Sequence, residues 1–276
     1  MPRSSASAKP AATRVAGTAA FSKFMHVLQL VADAAEPPTV AELSRLSGYP
    51  RPTVYRMVAA LVAERMLEEN ARTGTLALGP RLIQLASRSW GRSELRLAAV
   101  EALKHLRDVT GETVHLAVPN GEHMIYIEKL ESPSAVRMSS RIGTVVSMHS
   151  TSVGKAYLAM LDEAGREALL RALPRPLPRY MPNTVGTLQE LRKQLQAVRE
   201  QGWAIDDEEN EAGICCFGAP VFGHAGVPVA AISVSVLRFR RKDDVRKAYV
   251  EPLLQACRTI SQRIAETPAL SGAEAL

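Results

Sequence analysis

The chain has 276 residues, 46% hydrophobic and 22% charged, with a net charge of +6. These totals suit one or two domains with real cores and exclude a chain too polar to fold. No run approaches the roughly 18 uninterrupted apolar residues of a membrane span. An odd cysteine count, with two of the three adjacent (Cys215, Cys216, Cys257), argues against a disulfide framework and predicts a reducing, cytoplasmic setting.

The positive charge is unevenly placed. The first 98 residues hold 13 Lys/Arg against 7 acids, which accounts for the whole +6, while the remainder balances at 21 of each. A basic front on a neutral body predicts that the front meets a polyanion and the back has another task. Residues 1–20 are basic and rich in small residues, without the apolar core of a secretory signal, and read as a solvated, disordered tail. Ser22 can then cap a helix carrying Phe24, Val27, Leu28 and Val31 at helical spacing, broken by Glu36-Pro37-Pro38. Thr39 and Glu42 form a T-x-x-E capping box for a short helix with Leu43 and Leu46 inward, ended by Gly48. Pro50 stands where a third helix would begin.

That third segment, PRPTVYRMVAALVAER, is the most informative. Val54, Met57, Val58, Leu61 and Val62 share one face; Thr53, Arg56, Ala60 and Ala63 share the other, with Arg51 and Pro52 at the N-terminal end. An ordinary solvated face carries several acids, and this one has none before Glu64. Small residues allow close approach to a surface, and Arg and Thr suit base edges and phosphates of a major groove. Next, Asn70-Ala71-Arg72-Thr73-Gly74 joins two short extended runs, a hairpin with Arg72 at its tip. Three helices and a hairpin describe a winged helix-turn-helix over residues 21–81. Arg51, Thr53, Tyr55 and Arg56 are the expected contacts to double-stranded operator DNA, with Arg72 on the backbone.

PRLIQLASRSW and SELRLAAVEALKHLRDVT read as helices interrupted near Gly91, and residues 82–98 as a linker. Leu82, Ile83, Leu85 and Ala86 give an apolar stripe suited to a partner copy. VHLAVPNGEHMIYIEKL reads as two strands about Asn120-Gly121, and Thr187 with Glu190 as a second capping box opening a helix that Gly202 ends. CCFGAPVF and VPVAAISVSVL read as strands joined through His224-Ala225-Gly226, and a final helix runs from about Asp243 to Ala265. The stretch 174–182 is a proline-rich loop. Antiparallel strands with helices beside them predict an α+β domain over residues 99–267, followed by a tail at 268–276.

The strings LSRLSGYPRPTVYRMVAALV, LALGPRLIQLA, GETVHLAV, RIGTVVSMHSTSVGKAYLA, GWAIDDEENEAGICCFGAPVF and AAISVSV, in this order, resemble the IclR-type bacterial transcriptional regulators from Ser22 to about Ala265. Two departures stand out: Glu64-Arg65-Met66 where the family usually has glycine, and Gly223-His224 where an Asp often stands. The resemblance implies a homodimer or tetramer and a GAF- or PAS-like effector-binding domain. It also implies a ligand cavity lined by Met138, Ser152, Val153, Asp206, Ile214, Cys216, Ser233 and Ser235.

The residues allow partial readings of their own. STSVGK is not a phosphate loop, because His149 replaces the first glycine and Ala156 the Ser/Thr. A helix start after Ser150-Thr151-Ser152 would still present an anion-friendly end, suited to a small carboxylate effector. Ser233 and Ser235 alternate with Ile232, Val234 and Val236, so both hydroxyls point to one strand face and need polar partners. Sugar acids, keto acids and aromatic acids all fit such a pocket, and repressor and activator would use the same head. Cys215, Cys216, His149 and His224 lack zinc-ligand spacing, so no metal and no cofactor is expected. The alternative is a metal-assisted hydrolase or lyase using the acidic run Asp206-Asp207-Glu208-Glu209, but no matching His or nucleophile accompanies it.

Overall fold

Apolar residues at helical spacing fold the front of the chain into α1 (Ala19–Asp33), α2 (Val40–Ser47) and α3 (Arg51–Ala63). The computed structural model describes residues 18–90 and 94–267, and the chain divides between Ser93 and Glu94 into two units. The tail residues before Thr18, the interruption at Gly91 and the tail at 268–276 lie outside the described residues.

In the first unit, α1 begins before Ser22. Thr18 holds the N-cap position without a side-chain capping bond, and the Ser22 hydroxyl donates to the Thr18 carbonyl four residues back at 3.3 Å. Ser22 is thus inside the helix, where a hydroxyl finds a carbonyl one turn earlier. The Thr39–Glu42 capping box forms as expected: Thr39 N–H donates to Glu42 Oε2 at 2.8 Å and Glu42 N–H to Thr39 Oγ1 at 3.3 Å. Gly48, at φ 70°, ends α2 in the left-handed region. Leu46, expected inward, is exposed, because so short a helix turns only Val40 and Leu43 into the core. There they meet Val27, Leu28, Val54, Met57, Val58 and Leu61. Strands β1 (Leu67–Glu69) and β2 (Leu76–Leu78) pair antiparallel as the wing. Asn70 Oδ1 accepts the Arg72 N–H at 3.0 Å and Gly74 takes φ +66°, so Arg72 sits at the tip.

Arg65, in the segment where the resembling family carries glycine, has φ 57°. Its carbonyl lies so close to Gly79 that a Cβ there would stand 2.2 Å from it. A left-handed L-residue costs about 1–2 kcal/mol, partly offset by the greater chain entropy glycine loses on folding, about 0.5–1 kcal/mol. Arg65→Gly is therefore expected to stabilise the unit by about 0.5–1 kcal/mol, read as a higher urea midpoint; an unchanged or lower midpoint would count against strain at this junction. Helix α4 (Pro80–Trp90) follows, with Leu82 packed on the core and Ile83 (74%) and Leu85 (53%) exposed.

The second unit opens with α5 (Glu94–Thr110), so the predicted linker 82–98 is split between the two units. Strands β3 (Thr113–Asn120) and β4 (His123–Leu130) form the expected hairpin with Gly121 at φ 59°; β5 (Val145–Ser147) follows. Helices α6 (Ser152–Met160), α7 (Glu163–Ala172) and α8 (Leu188–Gln201) precede β6 (Ala204–Asp207), β7 (Ile214–Phe222) and β8 (Pro228–Leu237). The strands make one antiparallel sheet in the order β5-β4-β3-β8-β7-β6. The final helix does not run straight from Asp243: a π turn, Arg246–Val250, leads into α9 (Glu251–Glu266). Pro252 has no N–H to offer the carbonyl four residues back, which accounts for the wider turn before it.

Side-chain alternation gives the sheet two covered faces. Val114, Leu116, Phe217, Ile232, Val234 and Val236 pack with residues of α5 and α9 on one side. Ala117, Met124 and Ala231 pack with Val153, Ala156, Leu191 and Leu195 of α6 and α8 on the other. The result is the predicted α+β layering, an antiparallel sheet flanked by helices as in GAF- or PAS-like sensors.

Candidate nucleic-acid interface and effector cavity

Helix α3 turns Val54, Met57, Val58 and Leu61 into the core, which leaves its other side to solvent. Arg51, Tyr55 and Arg56 are exposed, Thr53 is half-buried, and Ala59, Ala60 and Ala63 are exposed beside them. The Arg51 guanidinium lies 5.8 Å from the Tyr55 ring centroid, a cation–π contact that holds both side chains at the helix start. Arg72 is exposed at the wing tip. The five residues expected on DNA thus occupy solvent-facing positions of α3 and the wing, with no acid among them.

In the second unit, a cavity of about 190 Å³ lies between the sheet and the start of α6. Cross-strand register places Asp206, Cys216, Ser235 and Thr113 in one row across β6, β7, β8 and β3. Since Phe217, Val234 and Val236 face α5 and α9, this row faces the α6 side. Thr151 caps α6, its Oγ1 accepting the Gly154 N–H at 3.2 Å, and Thr151 and Ser152 both line the cavity. The positive end of the α6 dipole therefore meets the polar row. Two glycines permit the approach: a Cβ on Gly218 would stand 2.5 Å from Ser152 backbone atoms, and one on Gly154 2.4 Å from the Met148 Cα.

A strap after β4 closes another side through Met138, Ser139 and Ser140. Lys129 Nζ donates to the carbonyls of Met138 (2.9 Å) and Ser140 (2.7 Å) and fixes the strap. His115 bridges strap and floor, its Nε2 2.8 Å from Ser140 Oγ and its Nδ1 3.3 Å from Ser235 Oγ, while its ring stacks on Tyr126. Burial, with the Lys129 charge adding to it, lowers the His115 pKa to about 3, so the ring is neutral. Asp206 is 3% exposed; its Oδ1 accepts the N–H groups of Glu209 (2.8 Å) and Asn210 (3.3 Å). Burial lifts its pKa to about 7 despite those bonds and the nearby Lys155 ammonium. Lys155, on α6, is itself buried and pairs with Glu209, donating also to Gln194 Oε1 at 3.0 Å.

Of the residues expected around a ligand, Met138, Ser152, Asp206, Ile214, Cys216 and Ser235 stand on the cavity wall. Val153 does not: one helical step beyond Ser152 it turns into the α6 core. Ser233 lies off the wall too, in the row of Gly218 and His115, with a buried hydroxyl that has no partner among the described residues. Sequence reasoning missed His115, Tyr126, Ser140, Thr144 and Asn210 on the wall. The alternation of Thr113 and His115 with Val114 and Leu116 was the available signal for His115.

The acidic run diverges. Asp206 and Glu209 are buried, whereas Asp207 and Glu208 pair with Arg238 at the surface. Among the described residues no three His, Cys, Asp or Glu side chains converge as a metal site. Cys215 Sγ lies 2.9 Å from Asp207 Oδ1, on the opposite strand face from Cys216. A wider groove of about 400 Å³ between α5 and α9 holds none of the expected ligand residues, so the smaller cavity, which holds six of them, is the better candidate.

Residues 88–262 match the model of the family described as bacterial transcriptional regulator IclR C-terminal, and residues 21–71 match that of the IclR helix-turn-helix domain. The chain belongs to the IclR family of transcriptional regulators. It is 32% identical over 240 residues to the HTH-type transcriptional regulator XynR of Escherichia coli (strain K12), covering 87% of this chain and 94% of that one. The IclR of Thermotoga maritima superposes with a TM-score of 0.71 at 29% identity, covering 88% of this chain and 98% of the other. An IclR homologue from Microbacterium hydrocarbonoxydans, solved in complex with 4-hydroxybenzoate, gives 0.76 at 26% identity, covering 89% and 98%. This IclR-family protein is therefore a DNA-binding transcriptional regulator and not an enzyme, and the hydrolase or lyase alternative falls with that assignment.

Proposed function

We propose that this IclR-family regulator holds operator DNA with Arg51, Thr53, Tyr55 and Arg56 of α3 and Arg72 of the wing, and that a small carboxylate metabolite in the α6 cavity sets its DNA affinity. The observation that carries the ligand reading is the meeting of the α6 N-terminus with the Asp206–Cys216–Ser235 row in one cavity. Helix N-termini favour anions, and the row supplies hydroxyl-directed groups. The homologue bound to 4-hydroxybenzoate supports a carboxylate occupant. The ligand acts by preferring one arrangement of the protein over another. The exposed Ile83 and Leu85 on α4 suit contact with a second copy, so we include a homodimer or tetramer in the proposal.

Melting-temperature shifts with 4-hydroxybenzoate, gluconate and pyruvate test the ligand reading, because a ligand of the native state raises apparent stability by mass action. No shift with any of the three would count against a carboxylate site. For the DNA head, Arg56→Ala is expected to weaken specific operator binding by about 1–3 kcal/mol if Arg56 reads a base edge. Fluorescence anisotropy with a promoter fragment measures this, and wild-type affinity would remove Arg56 from the interface.

A further inference from the structure

We infer that the effector carboxylate binds together with a proton held on Asp206, so that ligand recognition by this regulator is coupled to proton uptake. The inference rests on the cavity being a carboxylate site, as proposed above.

The cavity has the wrong formal charge for an anion. Its wall contains two carboxylates, Asp206 and Glu211, and neither Lys nor Arg. The two nearby lysines are committed elsewhere. Lys155 is paired with Glu209, and Lys129 is spent on the Met138 and Ser140 carbonyls and on Glu131 at 3.3 Å. His115, with its pKa lowered to about 3 by burial, is neutral near pH 7. The remaining attraction for an anion is the start of α6, worth roughly half a positive charge. An ionised Asp206 beside an ionised ligand would cancel it, since two carboxylates sharing a site do not both stay charged.

Asp206 is the group built to carry the proton. It is buried, whereas Glu211 is exposed and keeps its water. Its Oδ1 is fixed as the acceptor of the Glu209 and Asn210 N–H groups. The other oxygen has no hydrogen-bond partner among the described residues. Protonated there, Asp206 donates an O–H bond to a ligand carboxylate and stays an acceptor at Oδ1; such charge-assisted bonds are short and strong. The proton comes from solvent, and one is taken up per ligand bound when the free protein holds Asp206 ionised.

Apart from Lys155 and the two N–H donors, the surrounding groups favour the proton or are neutral. Cys216, facing Asp206 from β7, and Tyr126, from β4, are both kept protonated by burial, and His115 on β3 is uncharged. Glu209 repels a charge on Asp206, and Lys155 on α6 opposes that but is shared with Glu209. The balance leaves Asp206 titrating at about 7, within the physiological range.

Isothermal titration of the full chain with 4-hydroxybenzoate, gluconate and pyruvate at pH 6.5, 7.5 and 8.5, in phosphate and in Tris, measures affinity and protons exchanged. For a carboxylate that binds, affinity is expected to fall about tenfold from pH 7.5 to 8.5, with close to one proton taken up at the upper pH. Asp206→Asn, neutral at every pH and still a donor, should lose that dependence, its affinity changing less than about twofold over the range. A wild-type affinity that is flat in pH with no proton uptake overturns the inference and leaves the carboxylate site standing. So does an Asp206→Asn protein with the wild-type slope. If none of the three acids binds at any pH, the carboxylate reading itself fails and takes this inference with it. The proton count on the wild type decides the matter even if the variant does not fold.

Discussion

Lys155→Ala is expected to cost about 3–5 kcal/mol of folding stability, the usual loss when one partner of a buried ion pair is removed. Lys155 and Glu209 are both almost fully buried, and Glu209 Oε2 already lacks a partner among the described residues. Burial pushes the Glu209 pKa up, and the Lys155 ammonium is the main influence holding it down. Without that ammonium, Glu209 must ionise alone in the interior or take a proton. Replacing both residues with uncharged ones of similar size, Lys155→Met with Glu209→Gln, is expected to recover most of the loss, since neither is then left as an isolated charge. Urea unfolding of the three proteins measures this. A single variant within about 1 kcal/mol of wild type would mean that water reaches the pair.

Asp206→Asn is expected to stabilise the ligand-free protein at pH 8, by an amount on the order of 4 kcal/mol as an upper figure. The folded-state pKa of about 7 stands above the ordinary aspartate value of 3.8. A raised acid contributes its stability in full below the unfolded pKa and loses it as pH rises through the folded one. At pH 8 the carboxylate is therefore ionised at the expense of the fold, and asparagine, which can accept the same two N–H bonds, carries no such charge. The advantage should shrink as pH falls from 7 toward 4. Equal urea midpoints at pH 8 would show that Asp206 is not strained by its burial. A destabilising acid kept on the wall of the proposed effector cavity fits the general trade of stability for function.

Much of the first unit was legible in the sequence because its signals are local. The Thr39–Glu42 box, Gly48, Pro50 and the wing turn each act within a few residues, and α3 could be read from the side that lacks acids. Where the reading of single residues failed, the length of the helix decided. Ser22 gave up its cap because α1 extends further back, and Leu46 is exposed because α2 is too short to bury two turns. The cavity was legible only through alternation and family likeness. Alternation put Ser233 and Ser235 on one face, yet it could not say that only Ser235 reaches the wall. The Lys155–Glu209 pair spans 54 residues and is created by the seating of α6 on the sheet. Nothing in STSVGK announces it; the lysine that invites a phosphate-loop reading is buried against a glutamate instead.

The Asp206–Cys216–Ser235 row has a consequence for how such a regulator changes its taste. Each of the three sits on a different strand, and the ladder that joins them uses only main-chain groups. Their side chains can therefore be exchanged one at a time while that ladder stays intact, provided that a replacement for Asp206 still accepts the Glu209 and Asn210 N–H groups. If the proposed effector site is right, a change of ligand needs only three letters of the floor rewritten, with the proposed DNA-binding head left as it is.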